Sequence, residues 1–374
     1  MKRVLLLSTV HPPTDPRIMY KIAPALAAHY EVICALPKVR QQKAFRTISL
    51  PFFKKLWSRL LVTYPVVFWK CFRLKPDILH IFVPELIPAA FVFKWLGAKV
   101  IYEVQENLYQ KFSIKKYNNA RIYQLFFRYF DKLARRQFFL IFTEQAYLGT
   151  YRKLRYPYAV IQNFARIPEP ELCRSTQKST SANPEFLYVG VISLERCIDV
   201  IMLAFARLKI RYPHFKAHFF GPLRLDQNVL EALPGFDQVR DNVVFYGYTD
   251  QQTAFQCASR CVAGIALLKP VADYPDSYTT KLFEYMAHSL PVVTSDFPLY
   301  KSIVEPSQCG FCISPYDDAE LSDKLVLLAE NEPQRAQMGK NGKICVENFY
   351  NWKHETQKLL SFYVDISDTK KDRG

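Results

Sequence analysis

YPDSYTTKLFEYMAHSLPVVTSD, residues 274–296, sets a loop carrying an acid before a helix over 281–288 and an apolar strand over 291–295. Its two acids, Asp276 and Glu284, stand eight positions apart. If the helix begins near Thr280, Glu284 falls in its first turn, and the N–H groups of Thr279, Thr280 and Lys281 point out of its N-terminus. Such amides form a ready phosphate site, to which Lys281 would add a cation. A carboxylate just inside that turn can accept hydrogen bonds from vicinal hydroxyls such as those of a ribose, and Asp276 would meet the next group along the ligand. Acid-rich helix starts also arise simply because they suit the helix dipole, so spacing alone leaves both readings open.

Working outward, the same apolar-strand and amphipathic-helix rhythm recurs on both sides. Strands are expected at 4–10, 31–36, 78–82, 99–103 and 139–143, with helices at 16–29, 86–96 and 117–138. A polar stretch between Arg166 and Pro184 without periodicity reads as a linker. The rhythm then restarts with strands at 185–189, 218–221, 243–246 and 262–267 and helices near 199–212 and 251–259. Short apolar strands alternating with helices mean parallel sheets with crossover connections. The expected fold is therefore α/β: two doubly wound, Rossmann-like domains over 1–170 and 184–349, facing across a cleft. A closing amphipathic helix within 350–366 would complete the first domain. In such sheets ligands bind at the carboxyl ends of the strands.

Here the residues resemble a known family. D-SYTTKLF-E followed by YMAHSLPVV is similar to the donor-binding motif of the retaining glycosyltransferases of family four, which have the GT-B fold. The family's first acid is usually Glu where this chain has Asp276, and most members carry Gly where Ser289 or Leu290 stands. STVHPPTDPRIMYKIAPALAAHYEV, PDILHIFVPELIPAA, VIYEVQENLYQKF, YVGVISLERCIDVIMLAFARL and VVFYGYTDQQTAFQCASRC resemble further family segments in order, so the likeness spans nearly the whole chain. It implies that Glu284 holds the nucleotide ribose and Asp276 the donor sugar's hydroxyls. Arg196 takes the place of the phosphate-binding Lys, with Cys197 for the Gly that follows; Val191, directly after Gly190, replaces a second basic residue. Tyr248, after Gly247, sits where the family's backbone meets the base, and Asn163 at a hinge-side Asn. Gln105 stands where many relatives carry a His against the donor sugar. Gln can hydrogen-bond a hydroxyl but cannot carry a positive charge.

The charge is lopsided. Residues 1–170 hold 28 Lys and Arg against 9 Asp and Glu, whereas the rest holds 22 against 25. The first half therefore faces an anionic partner. Residues 51–77 mix Lys54, Lys55, Arg59, Lys70, Arg73 and Lys75 with Phe52, Phe53, Trp57, Leu60, Leu61 and Trp69 at near-helical spacing. That suits a helix lying in a membrane interface, or a crossover helix packed on the sheet with its lysines in water. The basic excess tips the expectation toward an anionic lipid surface. The opening MKRVLLLSTVHPPTD has too short an apolar run for a signal peptide and reads as a buried first strand, and no run reaches the ~18 apolar residues needed to span a bilayer. The expected location is the cytoplasm, peripherally at the inner membrane face, with thiols reduced.

Other sites carry less. The first loop, HPPTDPRI, lacks glycine and cannot be a Gly-rich phosphate cradle. Arg17 is expected to meet a phosphate or acidic acceptor, as is His11, while Asp15 reads as an N-cap. For His11 and His80 a hydrogen-bonded strand-end role stays open. Cys257/Cys261 and Cys309/Cys312 lack a His at ligand spacing, so no metal site is expected. No Ser/His/Asp order, Walker loop or nucleic-acid motif is present. The resemblance thus implies metal-independent, cofactor-free transfer of a sugar, with retention, from a nucleotide diphosphate sugar to an anionic or lipid-linked acceptor or growing surface glycan. The alternatives are a sugar-nucleotide epimerase of the same fold, or a catalytically degenerate scaffold binding a partner glycosyltransferase.

Overall fold

The computed structural model describes residues 1–53, 55–111, 121–168 and 183–369. The chain divides into two units, Met1–Asn163 with Lys353–Gly374, and Phe164–Trp352. Of the expected linker, residues 169–182 lie outside the described residues, as do 117–120 of the expected basic helix, which is described from Arg121 to Gln137.

The first unit is built on seven parallel strands: β1 (Arg3–Leu7), β2 (Glu31–Pro37), β3 (Arg46–Leu50), β4 (Ile78–Ile81), β5 (Lys99–Val104), β6 (Phe139–Phe142) and β7 (Tyr158–Val160). They lie in the order β3-β2-β1-β4-β5-β6-β7. Central strands such as β1 and β4 are apolar because a parallel sheet is covered on both faces; Val4 to Leu7 are wholly buried. The helix Trp352–Asp368 supplies part of that cover. Its Glu355 accepts the N–H of Gln162 at 2.8 Å, its Tyr363 hydroxyl meets His80 Nδ1 at 2.7 Å, and Lys99 donates to the Ile366 carbonyl at 2.6 Å.

The second unit has six parallel strands, β8 (Glu185–Val189), β9 (Lys216–Phe220), β10 (Val243–Gly247), β11 (Ala263–Ala266), β12 (Val292–Ser295) and β13 (Gly310–Ile313), ordered β10-β9-β8-β11-β12-β13. In each sheet the strand order reverses beside the first strand, β1 or β8, so the loop leaving that strand opens at a switch point. Both units thus form the doubly wound sheets that the sequence rhythm implies.

The segment over 51–77 is helical in consecutive pieces, Leu56–Ser58, Arg59–Thr63, Tyr64–Cys71 and Phe72–Leu74. Val67, Cys71 and Leu74 are buried on the sheet, and Phe68 stacks on Phe93. Arg59 turns inward to Glu85, with two contacts of 2.8 Å. Trp57, Leu61 and Trp69 nevertheless remain about 70% exposed, so both faces of this segment are apolar. Among the described residues, no helix is long and apolar enough to cross a membrane.

Candidate active site

In the second unit, Lys281 and Tyr285 of the stretch 274–296 pack at the carboxyl end of β8. Gly190 follows that strand with φ +132°, a conformation that L side chains rarely adopt, and its N–H donates to the Phe220 carbonyl at 2.7 Å. A Cβ at position 190 would lie 3.2 Å from Arg196 Nη1 and 4.0 Å from Lys281 Nζ. The missing side chain therefore leaves a hollow onto which a guanidinium and an amine converge.

Lys281 is the second residue of the helix Thr280–Ala287 and is 97% buried. Its Nζ has no hydrogen-bond acceptor and sits 4.0 Å from the centre of the Tyr188 ring. Burial, and then the neighbouring Arg196 charge, pulls its pKa well below the ordinary lysine value. Thr279 is the N-cap residue but makes no capping hydrogen bond through its side chain. This helix end thus presents N–H groups beside two basic side chains.

What holds that helix in place is a residue that sequence reasoning passed over. The Tyr285 hydroxyl accepts the N–H of Val189 at 2.8 Å and donates to the Ile265 carbonyl at 3.3 Å. Its ring lies where a side chain on Gly264 would stand, with a Cβ there only 2.4 Å from Tyr285 Cγ. A glycine inside β11 is the signal that could have revealed this close approach.

The helix starts at Thr280, as expected, but Glu284 is its fifth residue and so lies at the start of the second turn rather than in the first. It is half-buried and accepts a short hydrogen bond from Gln251 Nε2. Gln251 opens its own helix, Gln251–Phe255, capped by Asp250, whose carboxylate accepts the Gln252 N–H at 2.8 Å. Asp276 is exposed on the turn Tyr274–Asp276, and that turn is anchored by the Tyr300 hydroxyl donating to the Ser277 carbonyl at 3.0 Å. Tyr248 is exposed after Gly247, whose carbonyl accepts the Gly221 N–H at 2.8 Å.

The first unit carries the remaining candidates. Gln105 follows β5; its amide donates to Glu103 Oε1 at 2.6 Å and its carbonyl oxygen faces His11 Nε2 at 3.0 Å. His11 Nδ1 lies 2.7 Å from Ser8 Oγ, which already accepts the backbone N–H groups of Val10 and His11. The His11 ring is thus held by both nitrogens, between Ser8 and Gln105.

Arg17 does not take the role expected of it. It is buried, donates to both Glu103 oxygens at 2.8 and 3.2 Å, and donates to the Ile161 carbonyl at 2.8 Å. A bidentate internal ion pair commits this guanidinium to the fold, not to an incoming phosphate. His80 is likewise internal, with Nε2 3.4 Å from Glu103 Oε2. Burial lowers the His80 pKa by more than Glu103 raises it. Burial alone would raise the Glu103 pKa, but Arg17 and His80 hold it well below the usual carboxylate range. Asp15 accepts the Ile18 N–H at 2.9 Å, as an N-cap would, and Asn163 Oδ1 accepts from Lys21 at 2.7 Å.

Comparison with known proteins bears on both units. Residues 174–344 match the family model of glycosyl transferases group 1. Phosphatidyl-myo-inositol mannosyltransferase of Mycobacterium leprae is 25% identical over 209 residues, covering 49% of this chain and 56% of that protein. The chain therefore spans about half the length of that curated relative. Sucrose-phosphate synthase from Thermosynechococcus elongatus superposes with a TM-score of 0.76 at 16% identity, over 98% of this chain and 99% of that one. Anabaena Alr3699/HepE in complex with UDP and glucose does so with a TM-score of 0.72 at 15% identity, over 98% and 100%. Residues 174–344 are thus similar to glycosyl transferases group 1, and the chain has the GT-B fold of these solved structures.

Proposed function

We propose that this protein transfers a sugar from a nucleotide diphosphate sugar to an acceptor, with retention at the anomeric carbon. The observation that carries this reading is the hollow at Gly190, where Arg196 and the acceptor-less Lys281 amine converge beside an uncapped helix end. A diphosphate would supply the missing acceptors. Glu284, on the same helix, is assigned to the ribose hydroxyls, Gly247 and Tyr248 to the base, and Asp276 to the donor sugar. Gln105, with its orientation fixed by Glu103 and His11, is assigned to a sugar hydroxyl through its remaining donor and acceptor capacity.

In the reaction the acceptor oxygen bonds to the anomeric carbon as the bond from that carbon to the β-phosphate oxygen breaks. The electron pair leaves with the diphosphate, and the acceptor proton passes to a departing phosphate oxygen on the same face. Stabilising that departing charge falls to Arg196, Lys281 and the helix amides, which are fixed before the reaction begins. No metal is required in this scheme.

The acceptor is assigned to the first unit and is lipid-linked, or a surface glycan, met at the cytoplasmic face of the membrane. The basic excess of residues 1–170 and the exposed Trp57, Leu61 and Trp69 support this part. HepE was captured with UDP-glucose and the relative from M. leprae is named for a lipid acceptor, which makes a uridine diphosphate sugar and a phospholipid-type acceptor sensible first probes. Calorimetric titration with uridine and guanosine diphosphate sugars, followed by product analysis with EDTA present, tests the reading. Saturable binding of one donor and acceptor-dependent release of its nucleotide is expected; failure to bind any of them would overturn it.

A further inference from the structure

On the first unit, a cavity of about 590 Å³ is lined by Tyr109, Arg128, Lys132, Arg135, Arg136, Arg152 and Lys153. Six of its seven lining residues are cations. Only Arg135 is balanced, by Asp131 at 2.6 Å, and it is further held by the Thr150 carbonyl at 3.0 Å and by the faces of Tyr151 and Tyr109 at 4.0 and 5.1 Å. Tyr109 in turn donates to Asp131 at 2.7 Å. The floor of the cavity is thus a fixed and locally neutral stack. Among the described residues the other five cations have no carboxylate within ion-pair distance, so their mutual repulsion is not offset by an ion pair there.

We propose that this cavity binds a phosphate group carrying two or more negative charges, supplied by the headgroup of a membrane lipid. Charge decides the chemistry: five cations without a carboxylate partner around one cavity fit an oxyanion with several acceptor oxygens, which arginine forks and lysine points can share. Leu125, Phe126 and Tyr129, exposed on the same helix Arg121–Gln137, favour the lipid source over a free phosphate, since they offer apolar surface to the chains behind such a headgroup. The proposal shares only the membrane part of the functional reading above and is independent of the donor site.

The test uses the full chain with the double substitution Lys132→Glu/Arg136→Glu, and Arg40→Glu/Lys43→Glu as an exposed control of equal charge change. Inorganic pyrophosphate is titrated with UDP present in excess, so that a nucleotide site in the second unit is occupied. Binding that weakens at least tenfold in the first variant and stays within twofold in the control is expected; equal binding in all three proteins overturns the site. Vesicles of phosphatidylcholine with phosphatidic acid or with phosphatidylglycerol then address the source. Tighter binding to the dianionic headgroup, lost in the first variant alone, is expected. Pyrophosphate binding without any preference between the vesicles would assign the cavity to a soluble phosphate and overturn the lipid source. Vesicle binding that survives the first substitution would leave membrane association standing while removing this cavity from it.

Discussion

Lys281 Nζ rests 4.0 Å from the centre of the Tyr188 ring, with no oxygen to accept from it. The facing groups are Arg196 and Cys197 from the loop after β8, and Glu284 from its own helix. Burial and Arg196 depress its pKa in the free protein, whereas a bound diphosphate would restore it. Binding then takes up a proton, and donor affinity falls as pH rises between the depressed value and the ordinary 10.5. Calorimetry of UDP binding in two buffers of different protonation enthalpy should show that uptake, and Lys281→Met should abolish it. Identical apparent enthalpies in both buffers would sink the prediction.

Glu284→Ala should lower kcat/KM by about 10²-fold, the size expected when a hydrogen-bonded charged partner of the substrate is removed. Glu284 is half-buried and accepts from Gln251 on a neighbouring helix, so the thermal midpoint should move little. Near wild-type turnover would exclude the ribose role.

Arg17 and Glu103 form an internal pair, so Arg17→Ala leaves a buried carboxylate without its cation. A destabilisation of about 3–5 kcal/mol is expected in denaturant titration. Both Glu103 and His80 have folded pKa values below their unfolded ones, so the folded state binds fewer protons. Their contribution is present at neutral pH and is lost as pH falls, first below 6.5 for His80 and then below 4.5 for Glu103. Stability measured from pH 8 to 4 should decline in that order, and a flat profile would contradict it.

Cys197 stands where the resembling family usually has glycine, Ser289 is one of the two neighbouring positions, with Leu290, where most members carry another, and both Cys197 and Ser289 adopt left-handed backbone angles, φ +60° and +56°. The backbone has kept the shape while the residue has changed. For an L residue that shape costs roughly 1–2 kcal/mol, partly offset in glycine by a freer unfolded chain. Ser289 is exposed, so Ser289→Gly should stabilise the protein by about 0.5 kcal/mol and Ser289→Val should destabilise it by at least about 1 kcal/mol. Equal stability of the two variants would refute the argument.

Replacing Trp57, Leu61 and Trp69 together with serine should weaken sedimentation with anionic vesicles by at least about tenfold, through lost apolar burial. Wild-type binding should also fall as salt rises. Indifference to both would remove the membrane assignment.

The rhythm of apolar runs made the two sheets legible because central parallel strands are buried on both faces. β3 and β7 escaped notice for the opposite reason. Arg46–Leu50 mixes Thr and Ser at a sheet edge, and Tyr158–Val160 is only three residues long. Within the candidate site, Glu284 and Lys281 were readable from their spacing, because a helix fixes which residues share a face. Arg17 was not: its partner Glu103 lies 86 residues away, and an arginine after a strand looks the same whether it turns inward or outward. Tyr285 was hidden inside an apolar run, where only the contact with Gly264 and the Val189 N–H distinguishes an anchor from filler.

The helix Trp352–Asp368 gives Tyr363 to His80 and Glu355 to the Gln162 amide, so the first unit draws on two stretches of chain with the whole second unit between them. During synthesis the first sheet must wait, with His80 lacking its hydroxyl partner, until residue 363 has left the ribosome. A nascent chain halted after residue 352 has emerged but before residue 363 has would carry a complete second unit and an open first one, which makes that interval the natural moment for a chaperone to hold it.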